Sequence, residues 1–177
     1  MLRWTVRMVR LPLLALRCLD CRAGAATAGD GRFRVNANGR LLDVWLLVRC
    51  VRCDRTSKIT VHERVPVRSL GAARLRAYEN NDEALVARVV LDPAVARRNR
   101  FALDWGGAWE PESQAVETAW PYRVDVGFAD PVPVRPEQLI AQGLGIGRGE
   151  VRRRIKCGIP LGRTTSTDFS FVVMPAA

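Results

Sequence analysis

Four cysteines carry the clearest chemistry in this sequence. Cys18 and Cys21 form one C-x-x-C pair and Cys50 and Cys53 a second, with 28 residues between the pairs, while Cys157 stands apart. Two residues between thiols let a tight knuckle aim both sulfurs at one ion, and two knuckles brought together complete a tetrahedral thiolate site. The spacing therefore predicts a structural Zn2+ held by Cys18, Cys21, Cys50 and Cys53. A rubredoxin-like iron centre is the alternative, because tetrahedral thiolates also hold iron. A thioredoxin-like redox motif needs a single C-x-x-C opening a helix in a βαβ unit, and neither pair is followed by such a pattern.

Charge around the cysteines fits that reading. A zinc ion with four thiolates is formally −2. Arg17, Arg22, Arg49, Arg52 and Arg55 lie within two residues of a ligand and offset it, or reach phosphates instead. Other catalytic arrangements find little support. His62 is the single histidine, and its neighbours on one strand face are Thr60 and Arg64, so it reads as a surface residue or a support to the metal site. Cys157 follows Lys156 near an expected helix C-terminus, whose negative end disfavours a thiolate, so it reads as inert. The acids Glu79, Asp82, Glu83, Asp104, Glu110 and Glu112 show no pair spacing. Gly143, Gly145, Gly147 and Gly149 lack the Lys-Ser/Thr ending of a phosphate loop and read as an inter-helix turn. The five tryptophans are able to stack bases, although Trp4 and Trp45 fall in strand patterns as core residues do.

These groups sit in a chain of 177 residues with 48% hydrophobic and 26% charged side chains, a composition that excludes wholesale disorder and collagen. No apolar run approaches the ~18 residues of a membrane span. The run Leu11 to Leu16 is broken by Pro12 and is too short for a secretory segment. The expectation is a soluble cytoplasmic protein with no membrane partner. Its net charge of +10 is uneven: residues 1–76 carry +11, 77–130 carry −5 and 131–177 carry +4. Basic ends flanking an acidic middle suit a polyanion such as nucleic acid.

The elements that must position the cysteines follow from periodicity. Leu2, Trp4, Val6 and Met8 alternate with Arg3, Thr5 and Arg7, a leading strand. Arg32 to Asn36 and Leu41 to Arg49 form a hairpin across Ala37-Asn38-Gly39-Arg40 and deliver Cys50 beside the first knuckle. Ile59 to Val65 is a third strand, stopped by Pro66. The result is a zinc ribbon, a three-stranded antiparallel sheet with two C-x-x-C knuckles, in a module of residues 1–68. Residues 69–130 form a connecting region. Ser69 caps a helix to about Tyr78, a second helix starts at Asn81 or Asp82, and Asp92-Pro93 opens a third toward Arg100. Residues 104–121 are expected to be a loop held by Trp105, Trp109 and Trp120, followed by a strand over Tyr122 to Phe128. Residues 131–177 begin a third module with a helix from Pro136 to about Gln142, closed by Gly143 and Gly145. A further helix is expected from near Gly147 to Cys157. At about 100° per residue it places Arg148, Arg152, Arg153 and Lys156 in one arc of roughly 140°. The last strand spans Phe169 to Val173.

The stretch LIAQGLGIGRGEVRRRIKCGIPL, residues 139–161, resembles the S-four-type RNA-binding module. The shared features are a short helix, a Leu-Gly-Ile turn, an Arg opening a basic second helix, and Ile-x-x-Gly leading into a β-hairpin. They fall on Leu139, Leu144, Gly145, Ile146, Arg148, Ile155 and Gly158. The usual Asn-Gly hairpin turn is absent. The resemblance implies that the basic helix meets RNA, through Arg148, Arg152, Arg153 and Lys156. A wider pattern, with an early WTV, FRVNANGRLLDVWLLVRC between the knuckles, CDRT and TVHERVPV, resembles a bacterial family of unknown function, domain of unknown function 1062. That resemblance brings no activity with it.

The sequence thus predicts an α+β protein: a zinc ribbon, a helical middle and an S-four-like helix pair with short strands. The expected function is non-catalytic binding of structured RNA. The competing expectations are a zinc-ribbon adaptor for a protein partner and a rubredoxin-like electron carrier. The oligomeric state is not legible.

Overall fold

The computed structural model describes residues 2–113 and 121–175. Along the chain, β1 (Leu2–Met8) buries Trp4 and Val6 and turns Arg3 and Arg7 outward, the period-two signature of a half-buried strand. A short β2 (Leu13–Ala15) precedes the first cysteine pair. The long β3 (Ala26–Asn38) and β4 (Leu41–Cys50) follow, and β5 (Thr56–Pro66) succeeds the second pair. Three helices come next, α1 (Ala72–Glu79), α2 (Glu83–Leu91) and α3 (Pro93–Asn99), then β6 (Ala102–Asp104), β7 (Trp109–Ser113) and β8 (Tyr122–Phe128). The chain ends with α4 (Pro136–Leu144), α5 (Arg148–Arg154), β9 (Ile155–Cys157) and β10 (Phe169–Val173). The fold is mixed α+β, with two sheets. Among the described residues no helix is long and apolar enough to cross a membrane.

Two compact units divide these elements: Leu11–Gly106 forms one, and Met1–Arg10 with Gly107–Ala177 the other. This division differs from the expected segments 1–68, 69–130 and 131–177. The reason is non-local pairing. β1 runs parallel to β8, Trp4 opposite Val126, and antiparallel to β7, Met8 opposite Trp109. The leading strand therefore belongs with the C-terminal residues rather than with the cysteines. The chain leaves β1 at Arg10 and returns at Gly107, and Val9 N–H still bonds Ala108 O across that gap at 2.9 Å.

The unit Leu11–Gly106 holds an all-antiparallel sheet in the order β5-β4-β3-β2-β6. The three strands expected of the ribbon are there in order, and β2 and β6 extend the sheet to five. Each has only three residues, too few to show alternation. The β3–β4 hairpin turns on Gly39 at φ +61°, a conformation open to glycine without steric cost. One face of the sheet packs Leu14, Val44, Leu46, Val48 and Ile59 against Tyr78, Leu85, Val86 and Val90 of α1 and α2.

Capping chemistry fixes two helix starts: Asp92 caps α3 as expected, accepting from Ala94 N–H at 2.7 Å ahead of Pro93, and α2 begins at Glu83, just past the expected Asn81 or Asp82, because Asp82 caps it and accepts from Leu85 N–H at 2.8 Å. The start expected at Ser69 is corrected. Ser69 closes a 3-10 turn (Val67–Ser69), its hydroxyl is spent on Pro66 O at 2.7 Å, and α1 begins at Ala72 after Gly71.

The other unit holds a mixed sheet in the order β7-β1-β8-β10-β9. The loop expected over residues 104–121 instead contains β7, where Trp109 is buried; Trp105 is half-buried, and Trp120 lies outside the described residues. The helix expected to run to Cys157 stops at Arg154. Ile155, Lys156 and Cys157 leave it as β9, pairing with Val173, Val172 and Phe171. A buried β-branched Ile155 gains a sheet partner there, which a helical continuation would forfeit.

Candidate metal centre

Both cysteine pairs occupy turns at the same end of the antiparallel sheet. Cys18 and Cys21 sit between β2 and β3, and Cys50 and Cys53 between β4 and β5. Cys50 is the last residue of β4 and pairs with Ala26 at the start of β3, while Val51 N–H reaches Ala25 O at 3.2 Å. The β3–β4 pairing thus brings the second knuckle beside the first, as the sequence implied.

The two knuckles share one backbone design. Cys18 N–H bonds Ala23 O at 2.8 Å and Arg22 N–H bonds Cys18 O at 3.2 Å. Cys50 N–H bonds Arg55 O at 2.9 Å and Asp54 N–H bonds Cys50 O at 3.1 Å. The fourth residue after each leading cysteine closes the turn in the left-handed region, Arg22 at φ 60° and Asp54 at φ 56°. Neither is glycine, so each knuckle holds backbone strain of order 1 kcal/mol.

The sulfurs converge. All four Sγ atoms lie within 4.8 Å of one another, with Cys18 to Cys53 at 3.6 Å and Cys21 to Cys50 at 3.5 Å. A tetrahedron with metal–sulfur bonds near ~2.3 Å places sulfur pairs roughly 3.8 Å apart, so the donor set fits one tetrahedral ion. All four cysteines are free thiols, Cys18 and Cys50 buried, Cys21 half-buried and Cys53 exposed. Backbone amides prepare two of them for metal. The Cys21 N–H, with help from Asp20 and the neighbouring thiols, outweighs desolvation and draws the Cys18 thiol down to about 6. The Arg52 and Cys53 amides lower Cys50, and Arg52 N–H lies 3.4 Å from its sulfur. At Cys53 the Arg55 amide favours the thiolate, but Cys21, desolvation, Cys18 and Cys50 push the thiol up to about 12. Four like charges cannot crowd together unless a cation joins them.

Second-layer charge is divided. Arg55 pairs with Asp20, and Arg49 with Asp30 at 2.7 Å. Arg17, Arg22 and Arg52 are exposed, and among the described residues no carboxylate pairs with them. Asp20 and Asp30 were not singled out by the sequence, since their arginine partners lie 35 and 19 residues away.

His62 is no part of this cluster. Its ring lies half-buried with Nε2 at 2.9 Å from the Tyr78 hydroxyl, and desolvation, then Arg74 and Arg98, lower its pKa. Cys157 sits in β9, half-buried, its thiol 3.6 Å from Ser170 O.

The profile of the family described as "Protein of unknown function (DUF1062)" matches residues 35–164, most of the chain. The chain belongs to that family. The DUF1062 match opens in β3 and contains Cys50, Cys53 and the whole of α4 and α5; Cys18 and Cys21 precede it. No curated protein and no solved structure matches the chain.

Within the DUF1062 span, the four basic residues assigned to RNA do not share one helical arc. Arg148 and Arg153 lie exposed on α5, while Lys156 lies exposed on β9. Arg152 is committed to Glu137 of α4: Nη2 donates to Oε2 at 3.2 Å, and Nε meets the wholly buried Oε1 at 2.9 Å as an ion pair off hydrogen-bond alignment. Glu137 is 8% exposed, the one buried charged residue among those described. Arg154 likewise pairs with Glu150 at 2.6 Å and donates to Met174 O.

Proposed function

We propose that this protein is a zinc-stabilised, non-catalytic RNA-binding protein of a reducing cytoplasm. In this reading the cysteine module is a zinc ribbon whose ion fixes the ends of β3 and β4. The pair α4–α5 is S-four-like and meets structured RNA through Arg148, Arg153 and Lys156. The carrying observation is the course of the chain there: helix, glycine turn at Gly145 (φ +66°), basic helix, then a strand paired with the last strand of the sheet. Arg152 acts through Glu137, holding α5 on α4, so it positions the surface rather than contacting phosphate.

The test is a titration of the zinc-loaded protein against a stem-loop RNA and a matched DNA duplex at several salt concentrations. Binding should prefer RNA. Replacing Arg148, Arg153 and Lys156 together by Ala should weaken it and reduce the slope of log K against log salt by about 2 to 3, given ~0.7 to 0.9 per phosphate contact. Equal, weak binding by both proteins would refute the reading.

One observation favours a protein-binding adaptor instead. The residue after each leading cysteine is apolar and exposed, Leu19 at 80% and Val51 at 52%. Replacing both by Ser would abolish an apolar interface and spare RNA binding.

A further inference from the structure

The sheet of the Leu11–Gly106 unit has a second face that its helices do not use. In β4, Leu42, Val44, Leu46 and Val48 are buried in the core, so Trp45 and Leu47 point the opposite way. Directly opposed residues in an antiparallel pair share a face. Trp45 is opposed by Arg34 on one side and Thr60 on the other, and Leu47 by Arg32 and Lys58. The face therefore carries a half-buried indole at its middle with three cations around it. A strand pattern alone suggests a core Trp45; alternation shows which residues share a face, and here Trp45 and Leu47 stand on the face away from the core.

The charges on this face are unbalanced. Among the described residues no carboxylate pairs with Arg32, Arg34 or Lys58. Two acids meet this register of β4: Asp30 is taken up by Arg49 at 2.7 Å, and Asp43 accepts from the Arg64 backbone N–H at 2.8 Å. The Lys58 ammonium stands 4.7 Å from the centroid of the Trp45 ring. Arg32 and Arg34, two residues apart on β3, are spaced roughly 6.8 Å along the strand.

We infer that this face binds single-stranded nucleic acid, with a base stacked on Trp45 and its backbone held by Arg32, Arg34 and Lys58. Aromatic stacking and a cationic track are the two components of sequence-tolerant single-strand binding. A cation resting on a half-exposed ring is held more weakly than a stacked base, so a base displaces Lys58 from the ring and a phosphate receives it. An acidic peptide would use the cations and leave the indole without a role. Trp45 and Leu47 alone give too little apolar area for a protein interface core. The site lies on residues 32–60, in a different unit from α4 and α5, so it stands or falls separately from the helix-pair reading.

The experiment is fluorescence anisotropy of a labelled oligouridylate with the zinc-loaded full chain. Trp45→Ala should weaken binding by roughly 5- to 150-fold, the range of one lost base stack, while Trp45→Phe keeps most of it. Arg34→Ala should reduce the salt slope by about 0.7. The Arg148/Arg153/Lys156 variant should bind the oligouridylate as the unaltered protein does. Trp45→Ala with native metal content, native circular dichroism and undiminished binding would overturn the proposal. Absence of binding by the unaltered protein, or its loss in the helix-pair variant, would overturn it as well. Should Trp45→Ala fail to fold, Arg34→Glu decides: binding unaffected by that reversal refutes the site.

Discussion

Replacing Gly143 by Ala puts the packing of α4 on β1 to a stringent test. Intrinsic propensity favours the change: a glycine inside a helix costs about 1 kcal/mol relative to alanine. The structure opposes it. A Cβ on Gly143 would lie 2.4 Å from Cζ3 and 2.5 Å from Cη2 of Trp4, against ordinary contacts of roughly 3.5 to 4.0 Å, so the indole would have to retreat by about 1 Å. Trp4 has no room for that: it is 2% exposed and its ring meets Phe171 edge-on at 5.3 Å. Overpacking of this kind costs ~1 to 3 kcal/mol, and the rigidity of the indole places it at the upper end. The net effect is a loss of about 2 kcal/mol, or roughly 8 to 16 °C in Tm for a unit of this size. Thermal unfolding followed by near-ultraviolet circular dichroism reads it. In a double-mutant cycle Trp4→Phe, which removes the clashing part of the ring, should recover much of the loss in the Gly143→Ala background. A Gly143→Ala protein as stable as the parent, with no coupling to Trp4, would refute the reasoning.

Arg152→Ala should destabilise the protein by about 1 to 2 kcal/mol in denaturant unfolding, because it strips a buried Glu137 carboxylate of its partner; the exposure of the guanidinium holds the figure below that of a fully buried pair. Arg153→Ala, on an exposed side chain, should stay within ~0.5 kcal/mol. His62 has its folded pKa lowered below 6.5, so below that pH the unfolded chain takes up the proton and the folded one does not. Stability should therefore be full above pH 6.5 and decline as pH falls through the window down to the folded pKa, and a His62→Gln variant should lack that component of the decline. Asp54→Val, a β-branched residue forced to φ 56°, should cost ~1 to 3 kcal/mol and speed zinc loss to a chelator, while Asp54→Gly keeps the metal as the parent does.

What was legible in the sequence was local. Two C-x-x-C pairs and an intervening Asn-Gly hairpin announce their geometry within a few residues, as do the Asp82 and Asp92 caps, and the sulfurs meet accordingly. The rest depends on partners far along the chain. Nothing near Leu2 to Met8 signals that β1 pairs in parallel with β8, or that Ile155 exchanges a helical turn for a bond ladder with β10. Gly143 looked like part of a turn because its use, admitting an indole from β1, is a tertiary contact. Arg152 looked like one member of a basic arc because its partner Glu137 lies 15 residues earlier on another helix.

The most direct test of the account is the metal content of the purified protein, measured by elemental analysis beside Cys50→Ser and Cys157→Ser variants. One zinc per chain is expected in the parent and in Cys157→Ser. Cobalt exchanged into that site should give the absorption bands of a tetrahedral tetrathiolate, and Cys50→Ser should lose the metal together with the native circular dichroism of the β3–β4 hairpin. A parent protein without stoichiometric metal, or a Cys50→Ser variant that keeps it, would contradict a four-thiolate centre built on Cys18, Cys21, Cys50 and Cys53.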